Sequence, residues 1–121
     1  MNQDCYRAQA YATARLIAEK LGIPKDQYTV CFQSRLGRTP WIKPYTDVLI
    51  EELGSKHLKN IVIFSPSFVA DCLETLEEIG LRAKASFQEK GGGELTLVPS
   101  LNDSQAWVEA VCDMVKIPKT K

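Results

Sequence analysis

The sequence lacks the features of several protein classes. Its four cysteines form no C-x-x-C pair, the spacing of many zinc sites, and are too sparse for a disulfide scaffold. Its 15 basic side chains are balanced by 15 acidic ones, so no nucleic-acid partner is predicted. No apolar run could span a membrane, and the opening residues lack the basic and apolar regions of a signal peptide. We therefore expect a cytoplasmic protein with reduced thiols.

The chain has a single histidine, His57, which precedes a predicted strand and so lies at the amino end of the predicted sheet. We interpret it as a surface residue and assign it no catalytic role. With 121 residues, 45% of them hydrophobic, the chain is predicted to form one globular domain over residues 1–121.

Helical and strand patterns alternate along the chain. This order predicts a three-layer, Rossmann-like α/β domain with a small parallel sheet flanked by helices. The strand at 60–66 is nearly all apolar, which favours burial on both faces of the sheet. The predicted helices are 5–21, stopped by Gly22; 46–53, closed by Gly54; 68–80; 82–90; and a last helix capped by Asn102, Asp103 or Ser104. The predicted strands are 28–33, 60–66 and 94–100.

The segment FVADCLETLEEIG, residues 68–80, follows the carboxyl end of a predicted strand. On a helix Asp71, Glu74 and Glu78 lie at steps of three and four, which predicts one acidic face. Such a face is either a solvated surface or, at a strand end, a site that binds a divalent ion or accepts protons. In the second case mutual repulsion would raise the pKa of at least one carboxyl group. The side chains predicted to point into the core are Leu73, Leu76 and Ile79.

A second candidate site is the loop SRLGRTPW, which follows another predicted strand. Arg35 and Arg38 lie close in sequence to Trp41, and two guanidinium groups beside an indole could bind a flat anionic ligand. The alternative is that the arginines cover a surface loop and the tryptophan fills an apolar gap.

Three stretches of the chain together resemble one family: FQSRLGRTPWIKPYTD, FSPSFVADCLETLEEIG and LVPSLNDS. In order and spacing they are similar to the C-terminal half of ferrochelatase, which inserts ferrous iron into a porphyrin in haem biosynthesis. The second stretch is the most specific. Cys72 stands in it where many family members have histidine.

The resemblance implies a chelatase-type fold with ferrous iron and a porphyrin as substrates. It implies that Glu74 faces the porphyrin centre and takes part in proton removal or metal delivery. Asp71 and Glu78 would be further metal ligands along the same helix, widened there into a π-type turn. The residues predicted to contact the porphyrin are Trp41, Phe68, Cys72 and Arg35. We expect no iron–sulfur cluster, because the tail at 111–121 holds one cysteine.

Family members also have a preceding half that supplies part of the cleft and a histidine, and the chain has no match to it. We therefore interpret the chain as the C-terminal domain of a ferrochelatase, inactive alone and completed by the missing N-terminal half. One alternative is a non-catalytic α/β domain with a metal- or partner-binding surface. Another is a small chelatase acting as a homodimer, since half-length chelatases with this fold exist.

Overall fold

The structure, a computed structural model, describes residues 5–116. Its elements alternate as the sequence predicts, and the α/β class is confirmed. The helices are α1 Tyr6–Leu21, a 3₁₀ turn Lys25–Gln27, α2 Thr46–Ser55, α3 Leu73–Leu76, a π-helix Glu78–Ala83, α4 Lys84–Glu89 and α5 Gln105–Val115. The strands are β1 Asn60–Ile63 and β2 Glu94–Leu97.

Two glycines act differently at the helices they were predicted to end. Gly22 follows α1 with a φ of 70°, a left-handed conformation that glycine adopts without strain, so it is the helix stop that was predicted. Gly54 instead lies inside α2. A Cβ at this position would lie 2.6 Å from the carbonyl oxygen of Phe87, so the glycine allows α2 and α4 to pack closely.

The sheet has fewer strands than predicted. β1 and β2 pair in parallel, with Ile61 opposite Leu95 in the register. The predicted strand at 28–33 does not join them in the described residues, and only Phe32 forms an isolated bridge, to Tyr45. The reason is local: the backbone of Phe32 hydrogen-bonds with Pro44 and with Thr46, the first residue of α2, rather than with a neighbouring strand.

Only one face of the sheet is covered by the described residues. Ile61 and Ile63 are partly buried, whereas Val62 between them is 68% exposed. The prediction that β1 is buried on both faces is therefore wrong for residues 5–116. The apolar run alternates between core and solvent, as in a strand with one open face.

The core lies on the covered face and joins four elements. Its buried residues come from α2, the π-helix, α4 and β2, in that order: Ile50, Ile79, Phe87 and Leu95. α1 lies elsewhere, with the rings of Tyr6 and Tyr11 each centred 6.2 Å from the ring of Phe32. α5 begins after Ser104, one of the predicted caps, and buries none of its residues.

Several smaller expectations can be compared with this fold. All four cysteines are free, as predicted. His57 is exposed, also as predicted. Within residues 5–116 no helix combines the length and apolar character needed to cross a membrane. The expectation of no iron–sulfur cluster stays a prediction, and part of the tail on which it rests, residues 117–121, lies outside the described residues.

Candidate functional site

A cleft of about 530 Å³ opens beyond the carboxyl end of β1. Its walls come from the end of β1 with the loop after it, from the segment preceding Arg35, and from the loop around Trp41. Trp41 and Phe68, predicted to contact the same ligand, both line it. The other lining residues are Tyr6, Cys31, Phe32, Gln33, Ser34, Pro40, Ile42, Thr46, Ile63, Phe64, Ser65, Pro66 and Ser67.

The segment at 68–80 is not the single α-helix that was predicted. Helix α3 begins only at Leu73, and the π-helix follows it. The N–H of Arg82 donates to the carbonyl of Glu77, five residues earlier, at 2.9 Å, which is the spacing of a π-turn. The π-type widening implied by the family resemblance is therefore confirmed.

The inward face of this helix also differs from the prediction. Ile79 is buried as predicted, but Leu73 and Leu76 are exposed, and Thr75 occupies the fully buried position. The Thr75 hydroxyl can be buried because it donates to Asp71 Oδ1 at 2.9 Å and accepts the N–H of Cys72 at 3.0 Å.

Asp71 precedes the helix and is tied to the loop after β2. Its Oδ1 accepts from Thr75 and from the N–H of Ser100 at 3.3 Å, and its Oδ2 accepts from Asn102 Nδ2 at 3.0 Å. The hydrogen bond from Asn102, followed by that from Thr75, lowers the pKa of Asp71. The prediction that Asp71 shares a helical acidic face with Glu74 is therefore wrong.

Glu78 is bound to the segment that forms one wall of the cleft. Its carboxylate accepts the N–H of Ser34 at 2.7 Å, Ser34 Oγ at 3.0 Å and Gln33 Nε2 at 3.3 Å. Three donors thus converge on one half-buried side chain, which holds the π-helix against this wall.

Glu74 differs from the other two acids because its side chain is exposed. A hydrogen bond from the Cys72 side chain is the main cause that lowers the pKa of Glu74, so this group is a carboxylate at neutral pH. The prediction that mutual repulsion raises a pKa fails at Asp71 and Glu74, where hydrogen bonds lower both values.

The three predicted metal ligands do not form one cluster. Among residues 5–116, no three His, Cys, Asp or Glu side chains are grouped so that they could hold a metal ion together. The hydrogen bonds of Asp71 and Glu78 explain this, because they turn one carboxylate toward the loop after β2 and the other toward Ser34.

Arg35 lies outside the cleft lining. Its Nη2 is 2.7 Å from Asp47 Oδ2, and its guanidinium lies 4.4 Å from the centre of the Tyr45 ring. Burial alone would raise the pKa of Asp47. Hydrogen bonds, the largest contribution coming from Arg35, outweigh this effect, so the pKa is lowered. Arg38 is also outside the lining, so of the predicted group only Trp41 faces the cleft.

Comparison with known proteins identifies the family. The sequence model described as Ferrochelatase matches residues 1–117. The chain belongs to the ferrochelatase family. It is 57% identical over 114 residues to a ferrochelatase of Legionella pneumophila (strain Corby), covering 94% of this chain and 34% of that protein. It is 54% identical over 115 residues to a ferrochelatase of Coxiella burnetii (strain Dugway 5J108-111), covering 95% and 32%. The chain thus spans about one third of the length of these curated relatives.

Within this ferrochelatase-family chain, sequence reasoning missed the polar residues that join the helix to the cleft. Gln33, Ser34 and Ser65 all line the cleft. They are joined by hydrogen bonds to one another or to Glu78, including one of 2.8 Å from Ser65 Oγ to Gln33 Oε1. A signal was present, because each is a polar residue directly after, or at the end of, a predicted strand, where ligands gather in parallel sheets.

Replacing Thr75 with valine tests the buried connection between α3 and Asp71. The shape is nearly kept, but the hydrogen bonds to Asp71 and from the Cys72 N–H are lost. We expect the free energy of unfolding, measured with urea, to fall by about 1–3 kcal/mol. Thr96→Val is the matched control: Thr96 is exposed on β2, and its change should be within about 0.5 kcal/mol. Equal effects would contradict the proposed importance of the buried hydroxyl.

Proposed function

We propose that this chain forms part of a ferrochelatase that inserts ferrous iron into a porphyrin, and that its cleft binds the porphyrin ring. The observation that carries the proposal is the family match over residues 1–117, combined with an aromatic-lined cleft whose Gln33 side chain donates to the backbone carbonyl of Glu74. The cleft residues are mostly apolar, with few polar groups, as in most sites for flat organic ligands.

Trp41 and Phe68 would contact the faces or edges of the macrocycle. Both side chains line the cleft, and aromatic rings favour offset or edge-on packing against another π-system. The Trp41 indole is already oriented, because its Nε1 donates to the carbonyl of Gln33 at 2.9 Å. A fixed ring loses less conformational freedom when a ligand binds.

Glu74 would take part in proton removal and metal delivery. Insertion of a divalent ion displaces the inner pyrrole protons, so a group near the ring must accept them or pass them to water. The exposed Glu74 side chain is a carboxylate at neutral pH, and a carboxylate is a suitable oxygen ligand for ferrous iron. The Cys72 thiol, which hydrogen-bonds to Glu74, stands beside this group.

The contacts predicted for Asp71, Glu78 and Arg35 have less structural support than the role of Glu74. A direct metal contact by Asp71 or Glu78 would compete with their hydrogen bonds to Asn102 and Ser34, which favour positioning roles. A porphyrin contact by Arg35 would require its release from Asp47. A cytoplasmic location also stays a prediction from the sequence.

We propose further that the rest of a ferrochelatase polypeptide completes the cleft. The chain spans about one third of its relatives, and it exposes apolar side chains on the open sheet face and on the helix after Cys72. α5 adds a longer apolar stripe with no buried residue. The exposed side chains are Val62, Leu73, Leu76, Val108, Val111, Met114 and Val115. Apolar patches of this kind are typical of surfaces that another part of a protein covers.

A chimera tests the proposed function. In it the matching third of the Legionella pneumophila protein is replaced by this chain, and insertion of ferrous or zinc ion is followed by porphyrin absorbance under reducing conditions. We expect turnover by the chimera and none by the isolated chain, because the isolated chain lacks most of the enzyme. A folded but inactive chimera would favour the non-catalytic alternative. Turnover by the isolated chain would favour the homodimeric chelatase.

A further inference from the structure

The carboxamide of Gln33 joins separate parts of the site. Its Nε2 donates to the backbone carbonyl of Glu74 at 2.7 Å and makes a longer contact of 3.3 Å with Glu78 Oε2. Its Oε1 accepts from Ser65 Oγ at 2.8 Å, just beyond the end of β1. One side chain therefore connects α3 and the π-helix to the end of the sheet.

The main chain around Gln33 holds the Trp41 side chain, which forms an aromatic wall of the cleft. Its carbonyl accepts the Trp41 indole N–H at 2.9 Å. The next residue, Ser34, has a φ of 65°, a left-handed conformation that is unfavourable for a residue with a Cβ. Its two hydrogen bonds to Glu78 help to hold it there.

The Glu74 carbonyl is placed where such a partner matters. Glu74 lies in the four-residue helix α3, directly before the change from α to π geometry. Carbonyl groups in the last turn of an α-helical segment need donors from outside the regular pattern. The Gln33 amide supplies one, and it thereby fixes the turn that carries the Glu74 side chain.

We propose that Gln33 is a positioning residue: it sets the position of the helical turn that carries Glu74 relative to the Trp41 side chain in the cleft. It acts through the Glu74 carbonyl, Ser65 and the Trp41 indole, and contacts no reacting atom. Its effect on catalysis rests on the role proposed above for Glu74, whereas its structural effect can be measured without porphyrin or metal.

The first test uses the full 121-residue chain carrying Trp107→Phe, which leaves Trp41 as its remaining tryptophan. Gln33→Met keeps the length of the side chain but removes both polar atoms of its carboxamide. We expect a shifted Trp41 emission maximum and faster amide hydrogen exchange at residues 74–79. Gln88→Met is the matched control, because Gln88 Nε2 also donates to a carbonyl, that of Gly93 at 3.2 Å, outside the cleft. It should leave both signals unchanged.

Gln33→Glu gives a second test with a pH signature. When ionised, the introduced carboxyl faces the Glu78 carboxylate and the Glu74 carbonyl, so Trp41 emission should differ from that of the parent. When protonated, it can donate one hydrogen bond again, and the emission should return. A nearby like charge raises a carboxyl pKa, so the return should occur above the ordinary value of about 4.3. The parent should show no transition in that range.

In the chimera, Gln33→Met should lower kcat by about 10- to 100-fold while KM for the porphyrin changes little, because Glu74 is misplaced but the backbone carbonyl of residue 33 still holds the Trp41 indole in the cleft. Unchanged emission and exchange, or equal effects of Gln88→Met, would overturn the positioning role. If Gln33→Met does not fold, the pH transition of Gln33→Glu decides instead. Failure of the parent chimera to bind porphyrin would count against the proposed function, and the emission and exchange results would still decide the role of Gln33.

Discussion

Replacing Glu74 with glutamine should lower kcat of the chimera by about 10²- to 10⁴-fold, the usual effect of removing a group that transfers protons in the transition state. The glutamine keeps the size of the side chain but can neither accept a proton nor offer a charged oxygen to the ion. Because the pKa of Glu74 is lowered, the wild-type group stays ionised down to acid pH. In a plot of kcat against pH, the decrease caused by protonation of Glu74 should therefore occur below about pH 4.3.

Glu77→Gln is the control for this experiment. Glu77 is on the same segment, one charge is removed in the same way, and its carboxylate is paired with Arg82 at 2.8 Å. The pair is exposed to solvent, and such pairs contribute at most about 1 kcal/mol, so kcat should change little. Equal losses in the two variants would show that the effect is one of charge or folding, and would remove Glu74 from the proposed chemistry.

The α/β class could be predicted from the sequence because alternating helix and strand patterns are local signals. α1 has a regular stripe ended by Gly22, and α5 begins after one of its predicted caps. The sheet was harder to predict. The β-branched and aromatic composition of residues 28–33 resembles a strand, but strand pairing depends on neighbours distant in sequence, and Phe32 pairs with the nearby Tyr45.

The acidic segment, residues 68–80, shows why helical spacing did not predict how the site is arranged. A periodicity assumes one uniform helix, whereas residues 68–72 precede the helix and a π-turn alters the register after Leu76. Thr75 is buried because Asp71 satisfies its hydroxyl, a pairing that no hydrophobic pattern records. Trp41 and Phe68 could be predicted because the family resemblance supplied them, and the structure brings both to the cleft. The position of Gln33 at a predicted strand end was visible in the sequence, but its role was not, since that role depends on a contact with Glu74, 41 positions away.

Replacing Phe87 with alanine should destabilise the fold more than Thr75→Val does. Phe87 is fully buried in the core, between α2, the π-helix and β2. Its ring fills space so tightly that a Cβ on Gly92 would lie 2.5 Å from it. Truncation of a buried phenylalanine costs about 3–5 kcal/mol, because apolar contacts are lost and a cavity remains.

This loss is a large share of the stability of a small domain, which is typically about 5–15 kcal/mol. We therefore expect a much lower urea midpoint for Phe87→Ala, with part of the population unfolded in buffer. Leu81→Ala is the control, because Leu81 is 66% exposed on the neighbouring π-helix and should change the free energy of unfolding by about 0.5 kcal/mol or less. If the Phe87 variant unfolded like the parent, the core assigned to α2, the π-helix, α4 and β2 would not be the part of the chain that holds the π-helix, and with it Glu74, in place.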